Sequence, residues 1–173
     1  MNSEKLIHAL ERFATVLPAV VNGIDGDDAR WKPPDGGWSI LEIVMHLADE
    51  EASDFRPRLE RTLAEPQQEW DPIDPEGWAI SRRYNEGRLD EAVQRFVQAR
   101  QESMARLRGL GKQLEWSRAH EHPRLGTLRA GDLLTSWTAH DILHLRQISK
   151  RLYQLIERDA EGFSIAYAGS WTA

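Results

Sequence analysis

The sequence predicts an all-α protein that folds as a four-helix bundle. Apolar residues recur at three- and four-residue steps in four long segments, a spacing that places them on one face of a helix. No segment shows the convincing alternation of apolar and polar residues that is typical of a half-buried strand. A chain of 173 residues is long enough for one domain with a substantial core. Four amphipathic helices of this length bury their apolar faces by packing together as a bundle.

The first predicted helix covers residues 3–24. Its apolar positions form a single core-facing stripe: Leu6, Leu10, Phe13, Leu17, Val20 and Ile24. Pro18 falls inside this stripe, so we expect a kink or a loosened turn, because proline cannot donate a backbone hydrogen bond to the preceding turn. Residues 23–37 are rich in Gly, Asp and Pro and are predicted to form a loop.

The second predicted helix starts at Ser39. Ser39 and Glu42 have the spacing of a capping box, in which each side chain satisfies a free backbone amide of the other residue. The helix continues through His46 towards Leu63, and Pro57 is expected to bend it.

A long irregular connection is predicted for residues 66–80, because this stretch contains four helix breakers: Pro66, Pro72, Pro75 and Gly77. Connections of this length are often functional. The third predicted helix covers about 89–110 and is ended by Gly109 and Gly111. Residues 112–126 are predicted to form another loop.

The fourth predicted helix begins near Thr127 or Leu128 and runs to about Glu157. Its core-facing stripe consists of Leu133, Trp137, His140, His144, Ile148, Leu152 and Leu155. Two histidines therefore occupy core positions. The tail 159–173 is expected to cover the bundle or to contact a second subunit, since it contains four large apolar residues: Phe163, Ile165, Tyr167 and Trp171. Residues 1–173 are thus predicted to form a single domain that ends in this tail.

Composition excludes several classes of protein and of site. The chain has no cysteine, so a metal site must use His, Asp or Glu. A formal charge of −6 argues against a nucleic-acid surface, which requires clustered Lys and Arg. The first residues lack the basic region and apolar run of a signal peptide, and no apolar stretch is long enough to span a bilayer. We expect a cytoplasmic protein with a small-molecule substrate and with neither nucleic acid nor membrane as a partner.

His140 and His144 are four residues apart in a helical pattern, which places both imidazoles on one helix face, one turn apart. Two such side chains can share one metal ion, and His46, on the apolar side of the second helix, is the candidate third ligand. Three neutral imidazoles leave positions free for water or substrate, which is the layout of a catalytic metal site. A lone helical histidine is more often an ordinary core or surface residue, but burying two imidazoles without partners is costly.

Glu50 lies one turn beyond His46. It could be a fourth ligand, a general base, or an acceptor for a ligating ring, and its place in the acidic run 49–51 also fits a solvated helix face. Of these roles we assign Glu50 that of the general base, which makes it the predicted catalytic residue. Gln147 could hydrogen-bond a ligating ring, bind substrate or simply pack between helices. Asp141 points about a hundred degrees away from His140 on the helix and is not expected to be a ligand.

Three further histidines and three tryptophans have alternative interpretations. His120 and His122 belong to the predicted loop and either border a pocket or are simply exposed, while His8 is expected on the surface. Trp31, Trp38 and Trp137 are expected in the core or in a pocket wall.

Two stretches resemble signatures of the DinB-like (DinB/YfiT) superfamily of metalloenzymes. One is Trp38-Ser39-Ile40-Leu41-Glu42-Ile43 followed by His46-Leu47-Ala48-Asp49-Glu50-Glu51. The other is His122-Pro123-Arg124-Leu125-Gly126-Thr127-Leu128, then Trp137, His140-Asp141 and His144-Leu145-Arg146-Gln147-Ile148. The resemblance implies an up-down-down-up bundle, commonly a homodimer, and its three metal-ligand positions match His46, His140 and His144. It also implies reactions that use a low-molecular-weight thiol as co-substrate in some members.

The resulting hypothesis is a divalent-metal-dependent enzyme, either a hydrolase or a thiol-dependent transferase, that holds zinc or nickel with these histidines. The alternatives are a non-catalytic bundle that binds metal or a small ligand, and a purely structural dimer with empty histidines.

Overall fold

Four long helical elements form the bundle in a computed structural model, which describes residues 1–110 and 114–171. The helices are α1 (Ser3–Val21), α2 (Gly26–Arg30), α3 (Ile40–Glu50), α4 (Arg56–Ala64), α5 (Pro75–Ser81), α6 (Leu89–Gly109) and α7 (Ala130–Asp159). A π-helical turn, Glu51–Phe55, joins α3 to α4, so the two form one continuous element. Both α1 and α3 pack against α6 and α7. The predicted up-down-down-up four-helix bundle is confirmed.

The ends of the first two long elements follow from local sequence. Pro18 lies inside α1 without ending it, and α1 stops at Val21, three residues earlier than predicted. The chain then leaves the helix through Gly23, whose φ of 79° suits a residue without a side chain. At the start of α3, the Ser39 hydroxyl accepts from the Glu42 amide at 3.1 Å. The Glu42 carboxylate in turn accepts from the Ser39 amide at 2.9 Å, which confirms the capping box.

The irregular turn between α3 and α4 has an identifiable cause. Pro57 has no amide to donate to the carbonyl of Ser53, so the regular hydrogen-bond pattern cannot continue across this point. The expected bend therefore appears as a π-helical turn, a feature often found at functional sites.

Two predicted loops contain short helices, so the prediction that they are wholly irregular was wrong. In the first, Asp25 caps α2 by accepting from the amides of Asp27 and Asp28. In the second, Asp74 caps α5 by accepting from the amide of Gly77 at 3.0 Å. Aspartate caps allow a helix to start in either place. Helices of five to seven residues are too short to show a periodic apolar stripe.

The loop between α6 and α7 contains a β-hairpin that the sequence analysis missed. Strands β1 (Ala119–His122) and β2 (Gly126–Arg129) pair antiparallel, with His122 opposite Gly126. The turn is fixed by Gly126, with φ 71°, and by His122, whose Nδ1 accepts from the amides of Arg124 and Leu125. Both strands are mostly polar, so no apolar alternation marks them. Because β2 extends to Arg129, α7 starts later than predicted; Gly111 lies outside the described residues.

A buried polar layer separates two apolar clusters along the bundle. On α7 the buried residues of one cluster end at Trp137, and those of the other begin at Ile148. The continuous α3–α4 element and α6 show the same interruption, whereas on α1 the two clusters meet at Leu10 and Phe13, one turn apart. We define the polar layer as the polar side chains that lie between the clusters or at their boundary. Eight are buried: His46, Glu50, Glu51, Asp54, Arg100, Ser103, Asp141 and His144. The ninth, His140, is partly buried. The bundle therefore buries charge and imidazole in its middle and apolar residues towards both ends.

The chain beyond α7 is short and irregular. Phe163 and Tyr167 are exposed, whereas the Trp171 ring lies 5.7 Å from the ring of Tyr153 on α7. Within the described parts of the chain, none of the helices combines the length and hydropathy that crossing a membrane requires.

Candidate metal centre

Three histidine rings from two helices point their Nε2 atoms at one another. The Nε2 of His46, on α3, lies 3.3 Å from that of His140 and 3.1 Å from that of His144. The Nε2 atoms of His140 and His144, one turn apart on α7, are 2.9 Å apart. The structure thus brings together His140 and His144, which were selected by their spacing, and His46, which was selected by its place on the apolar side of the second helix.

The rings are held by packing as well as by the helices that carry them. His46 and His144 are 5% and 7% exposed, so little water reaches them. The Trp38 ring lies 4.8 Å from His46, and the Phe55 ring lies 5.0 Å from His140. Phe55 comes from the π-helical turn, so this irregular segment supplies one wall of the site.

Burial keeps all three imidazoles neutral. It lowers the pKa of His46 to about 3, with a further contribution from the charge of His144. It lowers the pKa of His140 to about 2 and that of His144 to about 4. At neutral pH the rings therefore have lone pairs available, which is the form in which histidine binds a metal.

Hydrogen bonds among these three nitrogens cannot satisfy the cluster. Each Nε2 either carries a proton or presents a lone pair, so at least two of the three are in the same state and repel each other. A single cation that accepts a lone pair from each of the three nitrogens removes this conflict. Nitrogens that are about 2.0–2.1 Å from one zinc ion lie roughly 2.9–3.4 Å apart at octahedral to tetrahedral angles, as these do. The residues present therefore fit a divalent metal ion.

Two side chains face the outer edges of the rings. The Nδ1 of His144 lies 2.7 Å from Oε1 of Gln147, so the amide oxygen can accept the Nδ1 proton and leave Nε2 free. Of the three roles considered for Gln147, this contact agrees with a hydrogen bond to a ligating ring. Glu50 stands at the corresponding edge of His46, with its Oε1 3.7 Å from Nδ1.

Glu50 belongs to the interior of the protein. It is 4% exposed, and its neighbours Asp49 and Glu51 are also buried, so the alternative of a solvated acidic face was wrong. Burial, with a hydrogen bond to Asp54, raises the pKa of Glu50 to about 9. Glu42, one turn before His46, acts as part of the helix cap and not as a member of the histidine cluster.

Behind the histidines lies an ion-pair network that the sequence analysis did not identify. The Arg100 guanidinium donates to both oxygens of Asp141 at 2.8 Å and to Oε1 of Glu51 at 2.8 and 2.6 Å. The indole of Trp137 donates to the same Glu51 oxygen at 2.6 Å. Asp141 therefore faces Arg100 and not the histidines. The signal was present in the sequence, because Arg100 lies four residues from both Phe96 and Met104 on the apolar stripe of α6.

An open pocket of about 910 Å³ leads to the cluster and is lined by His46 and His144. Trp38, Gln147 and Arg151 form one side, and the segment Ile73–Glu76 forms another. The long connection that was predicted to be functional thus contributes to this pocket. A separate cavity of about 500 Å³ near Pro18 and Val93 contains none of the three histidines.

The remaining histidines stand apart from the cluster. His120, expected to be a loop residue, is buried on β1 and stacks on Trp70 at 4.3 Å. With His122 it borders a smaller cavity of about 260 Å³. His8 is on the surface beside Glu11, as predicted.

Comparison with known proteins agrees with this architecture. The family model described as the DinB superfamily matches residues 9–148. YfiT from Bacillus subtilis, described as a probable metal-dependent hydrolase with an unusual four-helix bundle topology, has a similar structure with a TM-score of 0.71. The two share 23% sequence identity over 87% of each chain, so this likeness concerns the fold. No curated protein matches the chain. Because this family match covers most of the chain, the chain belongs to the DinB superfamily.

Proposed function

We propose that the protein is a divalent-metal-dependent enzyme that acts on small molecules. The observation that carries this proposal is the geometry of the three Nε2 atoms, which lie within 3.3 Å of one another beside an open pocket. His46, His140 and His144 are the proposed ligands. Three protein ligands leave coordination positions free, which distinguishes a catalytic site from a closed structural one.

A zinc or nickel ion held there would supply Lewis acidity, lowering the pKa of a water or thiol bound to it to near neutrality. The protein's own residues supply the rest. Gln147 orients the ring of His144, and Trp38 and Phe55 limit the access of water to the rings. Glu50, at the edge of His46, is the proposed proton acceptor. Burial raises its pKa to about 9, so this role requires the ionised form, which a cation held by the three histidines would favour.

Two reaction types follow from the choice of nucleophile. Water would make the protein a hydrolase, and the description of YfiT supports this choice. A low-molecular-weight thiol would make it a transferase, and a pocket of about 910 Å³ has room for such a co-substrate beside an electrophile. A non-catalytic protein that binds metal or a small ligand would use the same three histidines without turnover.

The experiment begins with elemental analysis of untagged protein after mild dialysis, for which we expect close to one divalent ion per chain. The loaded protein is then assayed with a panel of esters and amides, and with small electrophiles combined with common cellular thiols. His140→Ala serves as the inactive variant and His8→Ala, on the surface, as its matched control. The proposal would be refuted if the purified protein carried no metal and bound neither added zinc nor added nickel. One ion per chain with no turnover in either panel supports the non-catalytic alternative.

A further inference from the structure

Arg151 is a buried cation on the wall of the histidine pocket. It is 8% exposed and lies on α7, seven residues after His144, so the two Cα atoms are about 10 Å apart along the helix axis. Gln147 lies between them, and all three residues line the same pocket. One face of α7 therefore carries a proposed metal ligand, the amide that orients it and a guanidinium.

Two of the three guanidinium nitrogens are engaged by neutral groups. Nε donates to the carbonyl of Trp38 at 2.6 Å, and Nη1 donates to the amide oxygen of Gln154 at 2.5 Å. Nη2 makes no hydrogen bond within the described residues, and it lies against Gly37 so closely that a Cβ on Gly37 would collide with it. The two engaged nitrogens fix the orientation of the guanidinium, and the third is left for a ligand.

No carboxylate neutralises this guanidinium at close range. Among the described residues, no Asp or Glu oxygen lies within 4.0 Å of it, although Asp35 is near enough to act on it through its charge. This contrasts with Arg100, which pairs with both Asp141 and Glu51. Asp35 is exposed, so water screens its charge. Burying a cation that no carboxylate contacts is costly, and a bound anion would offset that cost.

The other charged residues of the pocket do not neutralise the guanidinium of Arg151. Asp74 uses its carboxylate to cap α5, and Glu76 is exposed, so water screens it. Arg124, on the hairpin turn, adds a second positive charge to the lining. The acidic groups thus stand at the solvent side, and the buried charge is positive.

We propose that Arg151 is an anion subsite of this pocket and that the substrate carries a carboxylate or a phosphate which the guanidinium binds. This inference rests on the proposed function for the identity of the pocket, but not on the metal. Because Arg151 and His144 are two helical turns apart, the substrate would hold its anionic group several bonds from the atom that reacts. Planar donors in a fixed orientation suit either anion.

The test is a chemical-shift titration of ¹⁵N-labelled full-length protein with inorganic phosphate and, separately, with malonate. The backbone amides of Gly37 and Trp38 report binding, and sodium chloride at equal ionic strength is the reference. We expect saturable binding to the wild type that Arg151→Met weakens by about tenfold or more. Arg151→Lys keeps the charge without the planar fork and should weaken binding by a smaller factor. Arg146→Met, an exposed arginine on the same helix, is the matched control and should bind like the wild type.

Two further variants keep the result interpretable. Gly37→Ala retains Arg151 but displaces its guanidinium, so it should weaken binding even if Arg151→Met disturbs the fold. His140→Ala removes a proposed metal ligand and should still bind the anion, which separates this inference from the proposed function. A preference for phosphate or for malonate then identifies the substrate's anionic group. Binding no stronger than that of chloride, equal binding in Arg151→Met, or binding lost only in His140→Ala would overturn the inference.

Discussion

Glu50 lies 3.7 Å from Nδ1 of His46, on the edge of the ring opposite the nitrogen that faces the other two histidines. Both the Nδ1 atom and Oε1 of Glu50 are buried and have no hydrogen-bond partner among the described residues. A proton on Nδ1 would therefore point at this carboxyl group, which is ionised only when its raised pKa is lowered again, as by a nearby cation, and the lone pair would be left on Nε2. Carboxylates placed in this way orient a ligating histidine and increase its basicity.

Two substitutions at Glu50 separate its proposed roles. Glu50→Gln keeps an oxygen that can accept from Nδ1, so we expect affinity for zinc to change by less than about tenfold while turnover falls by more than that. Glu50→Leu removes the acceptor and should weaken zinc binding by about 10–100-fold. Competition with a chromophoric chelator measures the affinity.

Glu65→Gln, at the exposed residue that follows α4, is the control for both Glu50 variants. Loss of zinc from Glu50→Gln would identify Glu50 as a ligand and the site as more closed than we propose. Unchanged turnover would place the base elsewhere.

The three histidines should be needed for the metal but not for the fold. We expect His140→Ala and His144→Ala each to weaken zinc binding by at least about 100-fold, because two ligands cannot hold the ion as three do. Helical content should persist, since the apolar clusters on either side of the polar layer remain intact. Zinc titration and far-ultraviolet circular dichroism measure the two effects, with His8→Ala as the surface control. A variant that unfolds at room temperature would show that the site is structural.

Arg100 should matter for stability more than any surface arginine. Arg100→Met leaves Glu51 and Asp141 buried without their cation, so the free energy of unfolding should fall by about 3–5 kcal/mol. Urea denaturation of metal-free protein measures this loss. Arg12→Met, an exposed arginine on α1, should change stability by less than about 0.5 kcal/mol. An equally small loss in Arg100→Met would mean that the two carboxyls hold protons in its absence.

The long helices and the histidine cluster could be predicted because both depend on helical periodicity. The spacing of His140 and His144 fixes their shared face, and the apolar stripe of the second predicted helix identifies the face on which His46 lies. The capping box at Ser39 was equally visible, because it needs only two residues at a fixed spacing.

Features that depend on tertiary pairing could not be predicted in this way. The acidic run Asp49-Glu50-Glu51 looks solvated in the sequence, and its burial depends on cations from elsewhere in the chain, such as Arg100 and Arg82. The hairpin is held by backbone pairing between polar strands, which leaves no apolar alternation. Arg151 likewise becomes notable only when the backbone of Gly37 and Trp38 is placed beside it.

We propose that residues 1–173 act as a single domain whose tail, 159–173, takes part in a homodimer contact. Phe163 and Tyr167 in this tail are 86% and 106% exposed, which is costly for large apolar side chains unless another surface covers them. Light scattering across a dilution series should show a dimer at micromolar concentration, and the double variant Phe163→Ser, Tyr167→Ser should weaken it. Leu125→Ser, an exposed apolar residue on the hairpin turn, is the control. A monomeric wild type would contradict the proposal.

The stability of the metal-free protein should depend on pH in opposite directions on the two sides of about pH 6.5. The unfolded histidines take up protons near pH 6.5, whereas burial lowers the pKa of His46, His140 and His144 to about 3, 2 and 4. The unfolded state therefore binds more protons below pH 6.5, and the free energy of unfolding falls as the pH falls. Glu50 has the opposite effect, because burial raises its pKa from 4.5 to about 9, so its folded form holds a proton that the unfolded chain has lost.

Asp141 acts in the same direction as Glu50 up to about pH 6, because burial raises its pKa to about 6. Between pH 4.5 and 6.5 the three histidines outweigh these two carboxyls, and above pH 6.5 the effect of Glu50 remains, so we expect maximal stability near pH 6.5. Urea denaturation from pH 4.5 to pH 9 measures this profile. His140→Leu should reduce the slope on the acid side by about 1.4 kcal/mol per pH unit, which is the contribution of one proton. Glu50→Gln should flatten the alkaline side, because its neutral amide has no charge to bury, and His8→Leu should alter neither side. An acid slope that is the same in His140→Leu as in the wild type would show that His140 takes up its proton in the folded state.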